Sequence, residues 1–163
     1  MNAQEFNNCV DQYSNGVYRF IVKNIGNEAD AEDIVQIAFE KLWVNRDKVE
    51  AEKAKSYLFT VAYHQMIDQI RKDKNKSTTD NLEEVKAQVQ HNHNAELKQI
   101  LLSAINQLNP TQKSLVLLKD YEGYSYQEIG EIMNLSESQV KVYLHRARLI
   151  LKGKLIHLEK MSA

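Results

Sequence analysis

The stretch SYQEIGEIMNLSESQVKVYLHRARLIL, Ser125 to Leu151, decides the fold. Ser125 stands three residues before Glu128, and Ser136 three before Gln139, so two helices open with capping boxes whose side chains satisfy free backbone N–H groups. A tight turn near Asn134 joins them. Ile129, Ile132, Met133 and Leu135 supply the apolar face of the first helix and the plug of the turn, and Gly130 allows close approach of the second helix. In that second helix Val140, Leu144, Ala147 and Leu151 recur at the spacing of one buried stripe, which turns Lys141, Val142, His145, Arg146 and Arg148 outward. This is a helix-turn-helix pattern. Its second helix suits a DNA major groove, where Lys and Arg reach guanine or phosphate and a small apolar side chain touches a thymine methyl. An ordinary solvated amphipathic helix carries the same periodicity, so the rest of the chain has to decide between them.

Working outward, 163 residues with 43% hydrophobic content can make one ordinary domain or two small ones, and one proline with five glycines points to long helices. Apolar runs such as Leu115 to Leu118 are too short to cross a bilayer, and MNAQEFNNC lacks the pattern of a signal peptide, so the expectation is a cytoplasmic protein without membrane insertion. The single Cys9 rules out an internal disulfide and a cysteine-cluster metal site and reads as a small core residue. A formal charge of −1 is low for a protein that holds DNA alone, because that affinity comes from neutralising phosphates. Either the charge is segregated or another molecule brings the DNA.

From the start of the chain, Phe6, Val10, Tyr13, Val17, Phe20 and Ile21 predict one amphipathic helix ending near Gly26, read as core packing. Asn27, Glu28, Asp30, Glu32 and Asp33 then load the start of a helix from about Ala29 to Asn45 with negative charge, as its dipole prefers. Its apolar residues come in adjacent pairs, Ile34 with Val35, Ala38 with Phe39 and Leu42 with Trp43, which makes a stripe wider than one helix contact needs. Part of that stripe is either a docking surface or plain aromatic core.

After a charged loop, SYLFTVAYHQMIDQIRKDKNK has Leu58, Phe59, Ala62, Tyr63, Met66, Ile67 and Ile70 on one half of a helical wheel. Thr60, His64, Gln65, Asp68, Arg71 and Lys72 occupy the other half. Its basic end, Arg71, Lys72, Lys74 and Lys76, suits the helix dipole and equally suits single-stranded nucleic acid. Residues 77–94 are polar and aperiodic and read as a flexible linker, with His91 and His93 too weakly placed to argue for a metal. Beyond it Leu97, Leu101, Ala104 and Leu108 keep helical register, and Asn109-Pro110 with Gln112 stops one helix and caps the next. From Ile100 onward eight lysines and arginines face six acids, against eleven and twelve over residues 1–79, so a weak basic excess sits with the helix-turn-helix. No segment joins a nucleophile to a base, forms a phosphate loop or gathers metal ligands, so no catalytic residue, cofactor or metal is assigned.

The order of these parts resembles the extracytoplasmic-function sigma factors, the small two-domain specificity subunits of bacterial RNA polymerase. DAEDIVQIAFEKLW resembles that family's polymerase-binding helix, SYLFTVAYHQMIDQIRKDK its minus-10-reading helix, and the segment from Ala95 to Leu155 its region 4. The resemblance implies an all-α chain with region 2 over 1–76, a flexible linker over 77–94 and region 4 over 95–163. It implies Asp33, Gln36, Phe39, Leu42 and Trp43 against core RNA polymerase, and Thr60, His64, Asp68, Arg71 and Lys72 on single-stranded minus-10 DNA. On the duplex minus-35 element it implies Lys141, Val142, His145 and Arg146, with Tyr126 and Gln127 positioning the backbone. It also implies a non-enzymatic role in promoter recognition and melting, and control by an anti-sigma factor. The sequence departs from the family pattern at Ala62-Tyr63-His64, where Ala-Arg-Asn is common, at Gly130, where alanine is usual, and at Val142, where serine is common. A stand-alone helix-turn-helix regulator and a protein that sequesters another factor remain the two competing classes.

Overall fold

The computed structural model describes residues 1–76 and 93–162, and every regular element among them is helical. Helix α1 (Ala3–Ile25) opens on Asn2, whose Oδ1 accepts the Glu5 N–H at 2.8 Å while the Glu5 carboxylate takes the Asn2 N–H at 3.0 Å. It stops where Gly26 turns left-handed at φ 70°, a conformation that costs a residue with a Cβ about 1–2 kcal/mol. Helix α2 (Glu28–Val44) is capped by Asn27 and, through a loop with a short 3₁₀ turn (Ala51–Lys53), leads into α3 (Ala54–Lys76). The three helices bury Val17, Phe20 and Ile21 from α1, Ala31, Ile34, Ala38 and Leu42 from α2, and Leu58, Phe59, Ala62 and Met66 from α3. These belong to the stripes expected from the spacing, but Phe6, Val10 and Tyr13 of α1, Val35 and Phe39 of α2, and Ile67 and Ile70 of α3 are only half-buried, and Trp43 is exposed.

The expected linker lies outside the described residues over 77–92, as does His91, and α4 (His93–Asn106) follows. Helix α5 (Pro110–Val116) carries the anticipated Asn109–Gln112 capping box with proline in its first turn, then widens into a π-helical turn over Leu117–Tyr121. There the Glu122 N–H reaches the Leu117 carbonyl at 2.9 Å, a five-residue span. Helices α6 (Tyr126–Met133) and α7 (Glu137–Ser162) complete the chain, and Asn134 turns between them at φ 57°, ψ 50°. A methyl group at Gly130 would lie 2.6 Å from the Leu135 carbonyl oxygen and 3.7 Å from the Val140 side chain. The close approach that glycine permits is therefore chiefly to the turn itself rather than to the second helix.

The two helical groups pack against each other, and their buried residues form one continuous cluster. Tyr124, only 7% exposed, sets its ring edge-on to Phe59 with centroids 5.0 Å apart. Nearby, the buried Asn24 side chain donates to the Phe20 carbonyl at 2.9 Å and accepts the Ser114 hydroxyl at 3.3 Å. The Lys113 ammonium donates to the Asn24 carbonyl at 2.9 Å, placing a cation at the negative end of α1. Burial holds that ammonium below the usual lysine pKa.

Candidate nucleic-acid interface

Helix α7 begins with Ser136, whose hydroxyl accepts the Gln139 N–H at 3.1 Å while Gln139 accepts the Ser136 N–H at 2.9 Å. That cap fixes the rotation of the helix. Val140, Leu144, Ala147 and Leu151 face the core, and Lys141, Val142, His145 and Arg146 stand in solvent, with Val142 46% exposed. Lys141 lies 3.5 Å from Glu137 one turn back and 5.4 Å from the centre of the Tyr126 ring at the start of α6. Lys119 stands over the same ring at 4.5 Å, so two ammonium groups flank the half-buried Tyr126, while Gln127 is exposed. The six residues named for the duplex element are thereby brought onto the α6 and α7 starts and the outer face of α7. Arg148 differs from its outward neighbours: its guanidinium grips Asp120 through two bonds of 3.2 and 2.6 Å. It ties the π-turn to α7 and is not a free cation.

On α3, His64, Asp68, Arg71 and Lys72 line up on the exposed side, the pattern expected for the second contact. Thr60 is different, being half-buried with its hydroxyl donating to the Ser56 carbonyl at 2.6 Å. It borders a cleft of about 390 Å³ formed by the loop after α2, the head of α3 and Glu131 of α6. Tyr63 is 9% exposed, so at this departure from the family pattern a phenol fills space next to α5. Burial pushes its pKa up, opposed by a hydrogen bond with Thr111.

The stripe on α2 divides. Asp33 and Gln36 are exposed, Gln36 donating to Glu40 at 3.1 Å; Phe39 is half-buried and Trp43 is 39% exposed. Leu42 is 0% exposed and presents no surface to a partner, because it lies about 100° round the helix from Trp43, on the side that packs into the core. The expectation that it joins a docking surface is corrected on that ground. Phe6 of α1, assigned from sequence to core packing, meets Trp43 at 4.9 Å and Phe39 at 6.3 Å between ring centres. With Ala3, Asn7 and the 74% exposed Val44 it lines a groove of about 690 Å³. Pairing of α1 with α2 was the missing information; periodicity within α1 marks Phe6 as apolar but not as rim. The Arg46 guanidinium stands over the Trp43 ring at 4.1 Å and donates to its carbonyl at 2.8 Å. Among the described residues no helix is long and apolar enough to cross a membrane, and no three His, Cys, Asp or Glu side chains gather as metal ligands.

Known proteins share this arrangement. The Sigma-70 region 2 family matches residues 9–76 and the Sigma-70 region 4 family matches 98–151. The chain is 33% identical over 147 residues to the ECF RNA polymerase sigma factor SigM of Bacillus subtilis, covering 86% of this chain and 89% of that one. It is 30% identical over 165 residues to SigW of the same organism, covering 92% and 88%. In fold it is similar to the sigma factor RpoE solved with the anti-sigma factor NepR from Bartonella quintana, with TM-score 0.75, 23% identity and coverage of 94% and 98%. It is also similar to CnrH solved with the cytosolic domain of CnrY, with TM-score 0.72, 20% identity and coverage of 96% and 90%. With both sigma regions matched in order along one helical chain, the protein belongs to the ECF sigma factors of RNA polymerase.

Proposed function

We propose that this sigma factor docks on core RNA polymerase through the groove of Phe39 and Trp43, with Asp33 and Gln36 at its side and Phe6 as a further wall. Residues 1–76 then act as the unit that opens and reads the minus-10 element, and 95–163 as the unit that reads the minus-35 duplex. The observation that carries this reading is the outer face of α7: Lys141, Val142, His145 and Arg146 exposed over a fully buried stripe, on a helix held by its own cap. Lys141 and Arg146 supply donors for guanine and phosphate, and Val142 offers a thymine methyl an apolar contact. Arg71 and Lys72 attract an unpaired strand, and His64 offers it a stacking surface. Melting is then a shift of equilibrium, because the open strand makes contacts that the duplex cannot.

The chain contributes contacts rather than bond chemistry, and its place is the cytoplasm, where core polymerase and promoters are. Its formal charge of −1 fits a subunit whose phosphate contacts are shared with polymerase. An anti-sigma factor is the proposed regulator, supported by the two fold neighbours, which were solved with the anti-sigma factor NepR and with the cytosolic domain of CnrY.

Transcription of genomic DNA by core polymerase with and without the chain tests the reading. New start sites that share two spaced elements are expected. Replacing Lys141 and Arg146 by alanine should reduce initiation there by about tenfold or more, since each good base contact is worth roughly 1–3 kcal/mol. A chain that neither binds core enzyme nor redirects it overturns the proposal.

A further inference from the structure

The seam between the two helical groups has a charge pattern of its own. Its two ion pairs take their cations from α1 and α3 and their carboxylates from the helix-turn-helix unit, while Lys113 of α5 crosses the other way to the Asn24 carbonyl. Arg19 holds Glu122 through bonds of 3.4 and 3.1 Å, and the Glu122 side chain is only 8% exposed. Lys55 reaches Glu128 at 3.2 Å and covers the Tyr124 ring at 4.0 Å. Next to it on α3, the Ser56 hydroxyl donates to Glu131 at 3.2 Å, and Glu131 also lines the cleft that Thr60 borders. Carboxylates of one unit thus stand on the cation and hydroxyl at the head of the helix that the proposed function assigns to the opened strand.

We infer that this seam is an ionic latch: in the free protein the helix-turn-helix unit sits on the head of α3, and release of Arg19 and Lys55 from their carboxylates accompanies binding to polymerase and promoter. The inference rests on the proposed function for its purpose but not for its existence. A phosphate backbone offers Lys55 and Ser56 the chemistry that Glu128 and Glu131 now offer, negative oxygen at hydrogen-bonding distance. The closed form therefore competes with nucleic acid for the same groups. The four ion-pair side chains are not equally sheltered: Arg19 and Glu128 are 52% and 43% exposed and Lys55 34%, whereas Glu122 is nearly enclosed. Glu122 is accordingly the group that most needs its partner, since an enclosed carboxylate without Arg19 loses both water and counter-charge. The seam also has an apolar pivot, Tyr124 on Phe59, so salt is expected to weaken closure without abolishing it.

Charge reversal and restoration in the full chain provide the test, with helix content checked by circular dichroism. Small-angle scattering of Glu122→Arg at low salt is expected to show a larger radius of gyration. Reversing one charge turns attraction into repulsion, and the closed-to-open ratio should fall about tenfold or more. Arg19→Glu should do the same, and the double variant Arg19→Glu with Glu122→Arg should return to the compact dimension. Singles that stay compact, or a double variant as expanded as the singles, overturn the latch. Core polymerase titrated into Glu122→Arg then reads its purpose. Apparent affinity should rise by up to the factor lost from closure, and an expanded variant with unchanged affinity removes the latch as a brake while leaving the proposed function standing.

Discussion

Asn134 carries the sharpest backbone demand in the helix-turn-helix, since it is the one described residue other than glycine with a positive φ, at 57°. Its short side chain tolerates that conformation; alanine does so less well, and glycine without cost. Asn134→Ala is expected to destabilise the protein by about 1 kcal/mol in urea titrations, and Asn134→Gly to stay within a few tenths. Glu128 makes a pH-dependent contribution of similar locality. Burial pushes its carboxyl up, but the Ser125 N–H, the Lys55 ammonium and the Ser125 hydroxyl together bring it below the usual value. A carboxyl lowered by folding stabilises the fold above its unfolded pKa of about 4.3, and that contribution disappears as pH falls through the lower folded value. Stability measured against pH should therefore show a shallower acid limb in Glu128→Gln than in the parent chain. An unchanged limb would place the acid sensitivity elsewhere.

Helix α2 sets a buried residue beside a proposed docking residue at two adjacent positions. Leu42→Ala is expected to cost about 2–5 kcal/mol, because a fully buried leucine leaves a cavity. Trp43→Ala should cost far less stability yet weaken core-polymerase binding by about tenfold or more, as loss of an exposed aromatic anchor does. Equal effects of the two on stability would remove Trp43 from the docking surface. Most helix starts were legible in the sequence because each carries its own cap: Asn109, Ser125 and Ser136 all make the bonds that their spacing announces. The division of the α2 stripe was only half legible. Adjacent apolar pairs show that the stripe is wide, but which member of each pair faces α1 depends on where α1 lies. The π-turn was hidden for a different reason. Leu117 to Tyr121 is ordinary helical sequence, and the wider turn accompanies bonds from Asp120 to Arg148, 28 residues away. Arg148 was read as an outward cation for the same reason, since its partner lies on another helix.

At the scale of the whole molecule, the two units and their order could be read from motif order alone, and their packing could not. The seam is written in pairs such as Arg19 with Glu122 and Asn24 with Ser114, separated by 103 and 90 residues, each of which looks like unremarkable surface or helix sequence on its own. Tyr63 shows the same limit: its place on the apolar half of α3 was legible from the spacing, whereas its packing next to α5 was not. Coupling of the units through the seam makes salt a variable of the whole fold. In about 1 M salt, where the screening length falls to roughly 3 Å, the outer ion pairs should contribute little and the units should melt less cooperatively.

The chain provides its own reporter for that experiment. Trp43 is the sole tryptophan, partly exposed and in contact with Phe6 and Arg46 on the first unit. Its fluorescence is therefore a local signal, blind to the helix-turn-helix, while ellipticity sums the helices of both units. Coincident melting curves at low salt and separated ones at high salt are the expected spectroscopic record, obtained without a label.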